Sequence, residues 1–167
     1  PMADFTIINA RIVTLAGDKD ASGPRRGDAM NQMGVIDCGY VTIRDGMISA
    51  VGEGLPEDSG IEDVFDADGC VLMPAFVDSH THACWAGSRL DEFEMAQAGR
   101  TYLEILNDGG GIMSTVRAVR ETSEEDLVSM LMRRLSSMAA LGTGAVEVKS
   151  GYGLNTENEL KMIRAIH

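Results

Sequence analysis

Positive charge is scarce in this chain: 14 Lys and Arg stand against 26 Asp and Glu, for a formal net charge of -12. That balance argues against a nucleic-acid partner, which calls for a basic face. Aromatics make up only 5%, while the 11 methionines suit core filling. No stretch approaches the roughly 20 apolar residues of a membrane span. Asp4 to Ala10 reads as strand and lacks a basic start, so no secretory signal is expected there. The three cysteines, Cys38, Cys70 and Cys84, are odd in number and lack CxxC spacing. A disulfide framework is therefore not expected, and a reducing cytoplasm is. Histidine is just as rare, but two of the three histidines stand one residue apart.

What is present suffices for a sizeable core: 167 residues, 44% apolar. The first 70 residues read as β. Phe5 to Leu15 alternates loosely, and residues 16–34 look like a polar surface loop. Residues 40–44 and 47–51 flank Asp45-Gly46, a strong hairpin signal. Val64-Phe65 starts a short strand, residues 66–69 turn, and Cys70 resumes the extended pattern. After Pro74 the period lengthens toward 3.6. Ser123 caps a predicted helix with acids in its first turn, an apolar stripe at Leu127, Leu131, Leu135 and Met138, and Gly142 as its stop. Residues 145–148 read as a strand. Thr156 to Glu159 reads as a capping box opening a last helix. That helix shows no stop signal, and two strands alternating with helices, 75–81 and 144–149, cannot close a barrel. The expectation is the N-terminal part of a larger protein.

The chemistry concentrates in Phe76-Val77-Asp78-Ser79-His80-Thr81-His82. Alternation along a strand sends His80 and His82 to one side, giving half of a tetrahedral metal site. Cys84 is a tempting third ligand, but a free cysteine is more often a small buried hydrophobe. Arg89 follows on a loop, where a guanidinium can clamp a carboxylate or simply be solvated. Tyr152, flanked by Gly151 and Gly153, can point into a site or pack on a turn. Lys149 is read as an ion-pair partner of Glu147 rather than a carbamylated metal bridge. Gly109-Gly110-Gly111 lacks a following Lys-Ser/Thr, so it reads as a lid or a tight helix entry rather than a phosphate loop.

Residues 74–82 resemble the first barrel strand of the metal-dependent amidohydrolase superfamily. The segments 87–89, 92–95, 109–112, 114–117 and 147–154 narrow the resemblance to the imidazolonepropionases. It runs from about residue 70 to the end, and residues 1–70 fit only loosely. The resemblance implies an α/β fold: residues 73–167 as the first two βα units of a (β/α)8 barrel, residues 1–72 as part of a small β-sandwich domain. It implies one divalent metal, zinc or iron, with His80 and His82 as its first two ligands. Arg89 and Tyr152 match substrate-binding residues. The implied reaction is hydrolytic ring opening of 4-imidazolone-5-propanoate to N-formimidoyl-L-glutamate, a step of histidine degradation. Expected partners are that small molecule and, in the complete protein, further copies of the chain, with neither nucleic acid nor membrane. No residue here is a candidate for the acid that protonates the leaving nitrogen, and the remaining metal ligands are expected on later strands. Two alternatives stay open: another amidohydrolase, such as a deaminase or cyclic amidase, and a non-catalytic fragment that binds another chain.

Overall fold

The structure, a computed structural model, describes residues 3–17, 23–57 and 60–167. The chain divides into two compact units, Pro1–Pro74 and Ala75–His167.

The first unit is a five-stranded sheet. Strands β1 (Phe5–Val13), β2 (Val35–Arg44) and β3 (Met47–Glu53) run antiparallel. Strands β4 (Val64–Asp66) and β5 (Val71–Leu72) both lie parallel to β1. The β2–β3 turn falls at the expected Asp45-Gly46, whose φ values of 50° and 75° suit the two-residue hairpin turn that Asp-Gly favours. A second turn follows β4, where Asp66 accepts the Asp68 N–H at 2.8 Å. Ala10, Ile12, Val41 and Ala67 form the buried core. The expected loop at 16–34 contains one turn of 3-10 helix, Gly27–Asn31, which buries nothing; residues 18–22 of that loop lie outside the described residues.

The second unit pairs β6 (Phe76–Thr81) with β7 (Thr143–Val148), in parallel. Between them come α1 (Leu90–Gln97), α2 (Tyr102–Asn107), α3 (Ile112–Glu121) and α4 (Glu124–Ala140), and α5 (Thr156–Ile166) follows β7. Helix α4 starts where the sequence places it: Ser123 Oγ accepts the Asp126 N–H, and Leu127 and Leu131 are buried. The capping box expected at the start of α5 is displaced. Its N-cap is Asn155, which accepts from Asn158, while Glu159 bonds the preceding loop instead. The core joins Val119 of α3, Leu127 and Leu131 of α4, and Met162 and Ala165 of α5 to Ala83, Cys84 and Ala86. The segment after β6 is thus drawn down onto the helices. No helix among the described residues is long and apolar enough to cross a membrane.

Candidate functional site

The end of β6 is pinned to β7. Thr81 donates its hydroxyl to the Glu147 carbonyl at 2.9 Å, and the Lys149 N–H donates to the Thr81 carbonyl at 2.8 Å. Strand geometry therefore persists to Thr81 and sets the imidazoles of His80 and His82 side by side, with ring centres 5.4 Å apart. Two imidazoles bound to one tetrahedral ion at about 2.0–2.1 Å would place their ring centres roughly 5–5.5 Å apart, so this pair fits a shared ion. Among the described residues no third His, Cys, Asp or Glu joins them.

Cys84 does not extend the pair. It is fully buried in the apolar core, and that burial pushes its thiol above the ordinary value, with Arg134 opposing the shift. A group so placed is a packing residue. Lys149 forms the expected ion pair with Glu147, which holds the Glu147 carboxyl below the usual range.

A cleft of about 180 Å³ is lined by His82, Arg89 and Tyr152 together with Trp85 and Thr115. Tyr152 tilts its ring against His82 at 5.6 Å between centres. Gly151 carries φ 130°, a backbone conformation that favours glycine, and a Cβ there would lie in van der Waals contact with His82 Cε1 at 3.4 Å. Arg89 stands at the N-terminal boundary of α1 rather than on a free loop. Its Nε and Nη2 donate to Glu92 Oε2 at 2.9 and 2.7 Å. The hydrogen bond from Arg89 holds Glu92 below the usual carboxylate range, and Glu92 in turn raises Arg89.

The sequence reading missed three supporting groups. Glu92 lies in the 92–95 segment that carries the resemblance, and its i, i+3 spacing from Arg89 is the local signal for the pair. Arg134 on α4 donates to the carbonyls of Ala83 and Trp85, both at 2.9 Å, and lies 3.8 Å over the Trp85 ring. No local signal ties it to residues some fifty positions earlier. Glu159 reads in the sequence as part of a helix cap. Gly111 settles the triple-glycine segment as a tight helix entry: it is the N-cap of α3, at φ 78°.

A profile of the amidohydrolase family matches residues 63–108. The chain is 46% identical to an imidazolonepropionase of Symbiobacterium thermophilum over 98% of its own length and 39% of the relative's. For the imidazolonepropionase of Haloarcula marismortui the identity is 45%, over 92% of the chain and 37% of the relative. The chain thus spans about two fifths of the length of these curated relatives. A 5-methylcytosine deaminase from Klebsiella pneumoniae, solved with 5-fluorocytosine, shares the fold at a TM-score of 0.58 and 20% identity, over 96% of the chain and 32% of that structure. This likeness to curated imidazolonepropionases runs through nearly all of both units.

Proposed function

We propose that this chain forms the carboxylate-binding and part of the metal-binding machinery of an imidazolonepropionase, which adds water to 4-imidazolone-5-propanoate and releases N-formimidoyl-L-glutamate. The observation that carries the reading is the single cleft lined by an imidazole, a guanidinium and a phenol: His82, Arg89 and Tyr152. Each suits one demand of an anionic, ring-shaped substrate.

Arg89 binds the propanoate. Glu92 occupies Nε–H and one hydrogen of Nη2, so the end of the guanidinium fork stays free for two parallel hydrogen bonds to a carboxylate. Tyr152 offers a hydroxyl that both donates and accepts, suited to the polar edge of the imidazolone. His80 and His82 hold one divalent ion, zinc or iron, with further ligands from outside this chain. When bound, that ion supplies Lewis-acid activation of water and of the ring carbonyl at neutral pH. The hydroxyl joins the carbonyl carbon, the ring C–N bond breaks, and the nitrogen takes a proton from an acid outside these residues.

The parallel β6–β7 pair, with imidazoles at the C-terminal end of β6, supports residues 73–167 as the first two units of a (β/α)8 barrel, whose sites lie at that end. The sheet of residues 1–72 supports part of a β-sandwich.

The test uses the full-length protein carrying this sequence. Product formation from imidazolone propanoate, read by mass spectrometry, is expected alongside one divalent ion per chain. The double variant His80→Ala/His82→Ala should lose both. Release of ammonia from an aminated heterocycle, without ring opening of the imidazolone, would move the protein to the deaminases. Unchanged metal content in the double variant would remove the ligand assignment.

A further inference from the structure

The loop at residues 150–154 meets the site twice, through Gly151 against the His82 ring and through Tyr152 beside it. The group that fixes this loop lies outside the cleft. Glu159, in the first turns of α5, turns its carboxylate back: Oε1 accepts the N–H groups of Gly153 and Leu154, each at 2.7 Å. Against the desolvation of this carboxylate, Ser150 and the Gly151 backbone also favour its charged form. From α3, Arg120 Nε donates to the Gly153 carbonyl at 2.8 Å.

The loop needs such an anchor. Leu154 sits at φ 51°, a left-handed conformation that a leucine does not adopt unaided. The loop is also pressed onto α5, since a Cβ on Gly153 would meet the Glu159 backbone N at 2.5 Å. Helix capping does not account for Glu159, because Asn155 caps α5. A carboxylate gathering two loop N–H donors instead matches the way outer groups orient the groups that touch a ligand.

We propose that Glu159 is a positioning residue: its carboxylate sets the 150–154 loop and thereby places Tyr152 in the cleft. The proposal rests on the reading of that cleft as the substrate site.

The full-length, metal-loaded enzyme tests it. Glu159→Ala should raise KM about 10- to 100-fold, because a displaced binding group is costly even at sub-ångström to ångström scale, and should change kcat much less. Glu159→Gln keeps an acceptor in place and should restore most of the loss. In a Tyr152→Phe background, Glu159→Ala should add less than about threefold, since residues acting through one another are not additive. Amide hydrogen exchange over residues 150–154 should accelerate in Glu159→Ala while α4 is unchanged. Independent, additive effects on KM, or unaltered exchange in the loop, would overturn the proposal. Should Glu159→Ala not fold, the shorter Glu159→Asp against Glu159→Gln makes the same comparison. Exchange requires no turnover, so failure of this inference is distinguishable from failure of the functional reading, in which the wild type itself leaves the ring closed.

Discussion

Arg89 meets the cleft already tethered, and the tether governs what it can recognise. Two of its five N–H groups face Glu92, which leaves the end of the fork for the carboxylate proposed to bind there. Arg89→Ala should weaken substrate binding by about 2–5 kcal/mol, the range for truncating one partner of a hydrogen-bonded charge pair. Arg89→Lys should also be impaired, since an ammonium lacks the fork. Steady-state kinetics of the full-length variants check this, and wild-type values would make Arg89 a surface residue. Glu92 carries a pH signature. Its carboxyl titrates lower in the folded chain than in the unfolded one, chiefly through the Arg89 hydrogen bond. Its contribution to stability is therefore complete above the ordinary glutamate value of about 4.3 and disappears as pH falls through the lower folded value. The gap in Tm between wild type and Glu92→Gln should be full at neutral pH and close on acidification through that window. A constant gap would mean the pair contributes only by packing. Cys84 offers a different test. Its buried thiol should resist alkylation that labels the exposed Cys38 and Cys70, and should react only after denaturation. Peptide mapping by mass spectrometry reads the difference.

At the scale of elements, legibility follows burial. The β2–β3 hairpin and α4 could be read because their signals are local: Asp45-Gly46 in one, and Ser123 with a buried stripe in the other. Ser123→Ala should destabilise by about 0.5–2 kcal/mol as a lost cap. Leu127→Ala should do so by about 2–5 kcal/mol, because the side chain is fully buried. Denaturant unfolding of the full-length protein measures both, and near-equal losses would contradict this account of α4. Helices α1 and α2 could not be read. They are short, they bury only Ile105 between them, and Leu90, Phe93, Tyr102 and Leu103 stay exposed, so no apolar stripe marks them. Helix α3 opens on a glycine without a side-chain cap. The displaced start of α5 has a comparable cause: Asn155 and Thr156 are both plausible caps, and only the loop's demand on Glu159 decides between them.

At the scale of the whole molecule, the residues proposed to touch a ligand stand in short motifs, whereas the groups that hold them do not. His80, His82, Arg89 and Tyr152 lie in motifs a few residues long. Arg134 and Glu159 act through contacts that the linear pattern does not encode, Arg134 across 51 positions. Much apolar surface is open in each unit, including Ile48 and Phe65 in the first and Phe76 and Val77 in the second. A polypeptide of these 167 residues alone is expected to bind zinc weakly, because two imidazoles are half a tetrahedral set. It should not open the imidazolone ring. Titration calorimetry and a turnover assay check this, and tight binding with enzymatic turnover would show that these residues suffice.

The parallel pairing of β6 with β7 also bears on the order of assembly. Phe76 lies opposite Thr143, so roughly 65 residues separate partners in the chain, and closing such a loop is entropically slow compared with forming a two-residue hairpin. During synthesis on the ribosome, β6 and the two imidazoles at its end emerge long before β7 exists. The β2–β3 hairpin can form at once, while His80 and His82 wait on an unpaired segment until β7 arrives. On the proposed assignment, capture of the ion follows folding of this region, because two imidazoles on an unpaired segment are only half a ligand set.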